Sequence, residues 1–139
     1  MKEPSIEPCI FCRIARGEIP SYKIYEDENY MAFLDINPIN PGHTLVIPKS
    51  HYKTITDAPK EVWSGLMALV WDLALKIQKK LDPDGLNIIQ NNNVQAGQVV
   101  PHIHVHIIPR YGGDEENYKE WKTMKLPEEE FKKLQNYLK

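Results

Sequence analysis

With only two cysteines in 139 residues, Cys9 and Cys12, the chain cannot be one of the disulfide-dense scaffolds that stabilise small secreted domains. It also lacks any apolar run near the roughly 18 residues needed to cross a bilayer, and Met1-Lys2-Glu3-Pro4 is too polar to start a secretory signal. A cytoplasmic protein is expected. Neither sign of charge dominates: 17 basic and 19 acidic residues give a formal net charge of -2, without the basic footprint that binding to nucleic acid or an anionic membrane demands. Neither partner is expected, and small-molecule chemistry is favoured. Internal repeats and low-complexity segments are absent. The length, with 42% hydrophobic residues, suits one domain with its own core.

Against this plain background three of the five histidines fall at alternate positions in Pro101-His102-Ile103-His104-Val105-His106-Ile107-Ile108-Pro109-Arg110. On a strand that spacing turns the imidazoles to one face, roughly 6.6 Å apart, and Ile103, Val105 and Ile107 to the other. Imidazole changes charge nearest neutral pH, so three in a row point to a nucleophile, a proton carrier or a metal ligand. In a reducing compartment, Cys9 and Cys12, two residues apart, suggest a metal clip or a redox pair.

Residues 1–8, with Pro4 and Pro8, read as a flexible lead-in to a single domain over 9–139. Ile10, Phe11 and Ile14 suit a short helix stopped by Gly17. Residues 22–26 and 30–34 read as strands joined by a polar loop, and residues 43–47, after a proline-rich turn, as a third and central strand closed by Pro48. Asp57 is read as the cap of a long amphipathic helix. Its stripe is Trp63, Leu66, Met67, Val70, Ala74, Ile77 and Leu81, and Pro83 ends it by disfavouring helix at Asp82. A fourth strand over 86–90, a polar loop over 91–98 and the histidine strand follow. The tail over 112–139 finishes in a helix that begins with Pro127 and three glutamates and carries Phe131, Leu134 and Leu138. This order predicts an α+β fold with a mainly antiparallel sheet of about five strands, one long helix and short terminal helices, because the links between the first three strands cannot carry parallel crossovers. One helix on a small sheet leaves apolar surface, for which a twofold homodimer is the simplest remedy.

The segment His102-Ile103-His104-Val105-His106-Ile107-Ile108 resembles the His-φ-His-φ-His-φ-φ signature of the histidine triad (HIT) family of nucleotidyl hydrolases and transferases. The likeness takes in Cys9-Ile10-Phe11-Cys12, Phe33-Leu34-Asp35-Ile36-Asn37-Pro38, the run from Pro41 to Lys49, and Gly97-Gln98-Val99-Val100-Pro101. It implies a HIT-like fold in which His104, the middle histidine, attacks the α-phosphate of a nucleotide to give a nucleotidyl-histidine that water then hydrolyses. Imidazole suits the task, being nucleophilic when neutral and a competent leaving group from the phosphoramidate. Its second nitrogen needs an acceptor to fix the tautomer, and a carbonyl on the neighbouring strand is a candidate.

By the same resemblance His43 lines the pocket, His106 and Gln98 donate to the phosphoryl oxygens, Asn91 contacts the nucleotide beside the scissile phosphate, and Asp35 accepts from the ribose hydroxyls. Phe11, Phe33, Ile36 and Leu45 match the walls around the base. Asp35 could instead cap the turn before Asn37, and the apolar four could be plain core. Cys9, Cys12, His51 and His102 match a structural zinc site held by some bacterial and archaeal members, a full tetrahedral set; the competing reading is two buried free thiols. Val99 departs from the pattern. Many phosphoramidate-cleaving members carry Ser or Thr there, where a hydroxyl assists the leaving amine, and Val99 offers the nucleotide only its backbone. The resemblance thus implies a hydrolase of small adenosine or guanosine nucleotides, such as nucleoside phosphoramidates or dinucleoside polyphosphates. A nucleotidyl transferase or phosphorylase, and a nucleotide-binding signalling module with incidental turnover, are the alternatives.

Overall fold

Side-chain alternation along the central strands divides the molecule into two cores, one on each face of a single sheet. The computed structural model describes residues 9–114 and 120–139; the lead-in expected over 1–8 lies outside the described residues. Strands β1 (Lys23–Glu26), β2 (Tyr30–Leu34), β3 (Thr44–Pro48), β4 (Gly85–Gln90) and β5 (Val105–Arg110) pair in the order β1-β2-β3-β5-β4. Every pairing is antiparallel. The α+β architecture with its five-stranded antiparallel sheet, long helix and short terminal helices is the one the sequence implies, and β3, the middle strand, is buried along its whole length.

Helices α2 (Lys60–Leu81) and α3 (Glu128–Leu138) cover one face. There Ala32 and Leu34 of β2, Val46 of β3 and Val105 and Ile107 of β5 meet Leu66, Leu69, Val70, Leu73 and Ile77 of α2, with Phe131 and Leu138 of α3 beside them. The helical stripe is rotated slightly from the expected one. Leu69 and Leu73 are buried, while Trp63, Met67, Ala74 and Leu81 are only half-buried, because α2 packs across β3 and β5 and also meets α3. Asp57 does not cap α2. Its carboxylate accepts from the Thr54 N–H and hydroxyl at 3.0 and 2.8 Å, closing a short 3-10 turn (Ile55–Asp57), and α2 starts after Pro59. At the other end Asp82 adopts a left-handed conformation, φ 49°, immediately before Pro83, and stops the helix.

On the opposite face Met31, Phe33, Leu45 and Ile47 pack against Cys9, Phe11, Cys12 and Ile14 of the six-residue helix α1 (Ile10–Ala15) and its cap. Register then places the histidines. Phe33 pairs with Leu45 and Leu45 with His106, so His106 joins a row of side chains on the α1 face. Only His106 of the three lies within the ladder; His102 and His104 precede β5. After Pro101 the His102 N–H turns back to the Val100 carbonyl at 2.9 Å, and the Ile103 N–H bonds the Tyr52 carbonyl at 2.8 Å. The segment therefore follows the chain after β3. No helix among the described residues is long and apolar enough to cross a membrane.

Candidate active site and metal centre

Hydrogen-bond direction settles which nitrogen of each buried histidine carries a proton, because an N–H can only donate and a carbonyl can only accept. The His102 Nε2 lies 2.8 Å from the Pro48 carbonyl, so Nε2 is protonated and Nδ1 keeps its lone pair. That Nδ1 sits 3.4 Å from Cys9 Sγ and 3.6 Å from Cys12 Sγ, while His51 Nδ1 is 3.3 Å from Cys12 Sγ. All four residues are buried, with their ligand atoms within 4.8 Å of one another. Two donors sharing a tetrahedral zinc, one sulfur and one nitrogen, stand about 3.6 Å apart, so the donor set and its spacing both fit. Burial pushes the Cys9 thiol up to about 11, and metal binding must displace that proton. Zinc held by Cys9, Cys12, His51 and His102 would supply a closed structural cross-link between α1, the chain after β3 and the histidine segment.

His104 is set the opposite way round. Its Nδ1–H donates to the His102 carbonyl at 2.8 Å, leaving Nε2 with the lone pair. The carbonyl that fixes this tautomer belongs to His102, two residues back, and not to the neighbouring strand as expected. Burial holds the His104 pKa below its usual value, so the imidazole is neutral near pH 7.

A chain of two hydrogen bonds ends at the cavity. The Ile39 N–H donates to His43 Nδ1 at 3.0 Å, so His43 carries its proton on Nε2, which donates to His106 Nδ1 at 2.9 Å. His106 must then carry its own proton on Nε2, the one ring position left to face a ligand. Burial, with the neighbouring Arg110 and His104 adding to it, pushes His43 down to about 3; burial, His104 and His43 do the same to His106. Asp35, His43 and His106 also bring three potential ligand atoms within 4.8 Å, yet the Ile39 N–H denies His43 Nε2 a free lone pair. In this tautomer the cluster presents a hydrogen-bond donor, the His106 Nε2–H, toward the cavity.

These side chains border a cavity of about 620 Å³, within the range of small-molecule sites, roughly 300–1,000 Å³. His104, His106, Asp35, Asn91, Val99, Phe11, Phe33, Ile36 and Leu45 all line it. His43 stands behind His106, wholly buried. Asp35 does two things. One oxygen accepts from the Asn37 N–H at 2.9 Å, capping the turn, while the other lies 3.6 Å from His43 Nε2, and burial raises the carboxyl pKa.

Gln98 is a correction. Expected to donate to phosphoryl oxygens, it is buried with its amide spent on the backbone, Nε2 donating to the Lys53 carbonyl at 2.7 Å and Oε1 accepting from the Asn93 N–H at 2.6 Å. It does not line the cavity; it shapes the loop that carries Val99, which is 89% exposed. The sequence reading missed Trp121 and Thr123. Both line the cavity from the tail, and the Trp121 ring meets His106 edge-on at 4.8 Å and His43 at 5.9 Å. One tryptophan in a polar, aperiodic tail carries no signal that would have found it.

A neutral His104 with a free Nε2, the His43–His106 hydrogen bond, the Asp35 carboxyl and a closed cysteine–histidine cluster stand together on one face of an antiparallel sheet, and comparison with known proteins identifies the class. The HIT domain model matches residues 16–113. A HIT-like protein of Methanocaldococcus jannaschii is 52% identical over 108 residues, 78% of this chain and 83% of that protein. An adenylylsulfatase of Arabidopsis thaliana is 44% identical over 102 residues, 73% of this chain but 52% of that longer protein. Among solved structures, a hypothetical histidine triad nucleotide-binding protein from Sulfolobus tokodaii superposes with a TM-score of 0.84 at 38% identity, covering 94% of this chain and 89% of that one. A zinc-bound histidine triad family protein from Mycobacterium smegmatis gives 0.80 at 39% identity, covering 94% and 93%. The chain belongs to the HIT family.

Proposed function

We propose that the protein is a nucleotidyl hydrolase that cleaves at the α-phosphate of a small adenosine or guanosine nucleotide through a covalent intermediate on His104. The observation that carries this reading is the opposed pair of tautomers, a lone pair on His104 Nε2 beside a proton on His106 Nε2, at the wall of one cavity. His104 Nε2 attacks the α-phosphorus, the bond to the leaving group breaks with its electron pair, and His106 Nε2–H stabilises the non-bridging oxygens as charge builds on them. Water then attacks the same phosphorus, the P–N bond breaks, and imidazole and the nucleoside monophosphate are released. Asp35 is suited to the ribose hydroxyls, Asn91 to the nucleotide beside the scissile phosphate, and Phe11, Phe33, Ile36 and Leu45 to the base.

The leaving group follows from Val99. With no hydroxyl there to protonate an amine, the site favours a group that departs as a stable anion, such as sulfate or a polyphosphate, over a phosphoramidate amine. The relative named an adenylylsulfatase supports including adenylyl sulfate with dinucleoside polyphosphates and nucleoside phosphoramidates in a substrate panel. Brief incubation with each, followed by mass spectrometry, is expected to find a nucleotidyl adduct on His104; turnover without an adduct in acid-free quenching, retained in His104→Ala, would refute the mechanism. Phosphate-dependent release of a nucleoside diphosphate would mark a phosphorylase instead.

The reading includes one structural zinc per chain and a homodimer. The dimer is supported by Trp71 and Leu75 on α2 and Ile88 on edge strand β4, exposed at 65%, 40% and 43%, which a second copy would cover. Metal analysis of the purified protein and sedimentation equilibrium check both; substoichiometric metal after zinc loading, or a monomer at micromolar concentration, would refute the corresponding part.

A further inference from the structure

We propose that the metal centre and the nucleotide cavity are thermodynamically coupled, so that a bound nucleotide retains the metal and loss of the metal weakens the nucleotide. The inference rests on the nucleotide reading above and goes beyond it, because a merely structural zinc need not respond to what the cavity holds.

Two links join the sites, and both are made by residues that serve each at once. The first is His102. Its side chain spans from the Pro48 carbonyl to the cysteine sulfurs, while its backbone carbonyl accepts from His104 Nδ1–H. The residue that ligates the metal is thus the residue whose carbonyl orients His104. The second link is the run Cys9-Ile10-Phe11-Cys12. Its sulfurs face the metal centre, whereas Ile10 and Phe11 line the cavity. The Phe11 ring lies edge-on to His104, Phe33 and His102 at centroid distances of 5.1, 5.7 and 5.9 Å, bridging base wall, nucleophile and metal ligand.

The element carrying these residues cannot hold its own position. Helix α1 has six residues, well short of the roughly 12–15 at which an isolated helix becomes even marginal in water. Its place on the sheet depends on anchors: the two thiols on one side and Phe11 and Ile14 packed on Met31, Phe33, Leu45 and Ile47 on the other. A nucleotide base that fills the cavity holds Phe11 in place and so holds Cys9 and Cys12 at ligand spacing. A metal on the cysteines orders the same wall before the base arrives. Linkage makes the two effects equal.

The experiment titrates the zinc-loaded, full-length protein against a chromophoric chelator at equilibrium, with and without saturating AMP or GMP. Zinc affinity is expected to rise by about fivefold or more when the nucleotide is present. Equilibrium dialysis of chelator-stripped protein should show nucleotide affinity lower by the same factor; should the stripped chain unfold, the chelator competition alone decides. Phe11→Ala keeps all four ligands and should bring the ratio of zinc affinities toward one, with Phe11→Leu restoring most of it. Unchanged zinc affinity with nucleotide demonstrably bound overturns the coupling and leaves the nucleotide reading standing. Failure of the zinc-loaded protein to bind either nucleotide overturns both.

Discussion

Replacing His104 by alanine is expected to lower kcat by about 10⁴-fold or more, the scale on which loss of an enzyme nucleophile is felt, while nucleotide affinity changes by less than about tenfold. The asymmetry follows from geometry. His104 Nε2 carries a lone pair that no hydrogen bond among the described residues occupies, and its Nδ1–H is held by the His102 carbonyl at 2.8 Å. In the proposed reading, base and ribose contacts fall instead to the walls and to Asp35. His106→Ala should behave differently. Removing a preorganised donor to the phosphoryl oxygens costs about 10²–10³-fold in kcat, but the nucleotidyl adduct should still form, slowly, and be trapped on His104. Rapid-quench kinetics with intact-mass detection separates the two variants. If His104→Ala keeps more than a tenth of wild-type kcat, or if the adduct maps to His106, the assignment of nucleophile and donor fails.

The sheet and its order of elements were legible because their causes are local. Short apolar, β-prone runs in β2 and β3, prolines at 38, 41, 48 and 83, and three-to-four spacing along α2 all act within a few residues. Local pattern also carried the histidines to a common face. What it could not carry is the proton placement that makes them unequal. Three backbone groups do this: the Ile39 N–H on His43, the Pro48 carbonyl on His102 and the His102 carbonyl on His104. Two of them are supplied by turns or strand ends whose meeting with the side chain depends on the finished fold. Gln98 shows the same limit. A glutamine beside a glycine in the matching motif suggests a phosphate donor, yet whether its amide reaches the cavity or the backbone depends on Lys53, 45 residues away. Trp121 lies further still from any periodic signal, brought over His106 by a tail without secondary structure of its own at that point.

The second large expectation concerns acid. Above pH 6.5, the ordinary histidine value, His43 and His106 are neutral whether the chain is folded or not, and their mutual hydrogen bond contributes fully to stability. Below 6.5 the unfolded chain takes up protons that the native pair, pushed down to about 3, refuses. The unfolded state then binds more protons, so stability falls as pH falls, by up to about 3 kcal/mol per pH unit for two such groups. The neighbours allow no escape. His43 is flanked by His106, by Asp35 at 3.6 Å, by the Trp121 ring and by the field of Arg110 and His104, while its Nδ1 faces the Ile39 N–H and cannot accept a proton without breaking that bond. Asp35 works the other way, because burial raises its pKa and the native state gains a proton there first, but it is one carboxyl against several imidazoles held low. Urea midpoints at pH 7, 6 and 5 in the zinc-loaded protein should therefore drop steeply. His43→Gln should flatten that slope by up to about 1.4 kcal/mol per pH unit, the share of one group, even though it lowers stability at pH 7; His104, also held low by burial, and His106 keep the remainder. Midpoints that stay level from pH 7 to 5, or a slope unchanged in His43→Gln, would show that the pair is not held neutral by the fold.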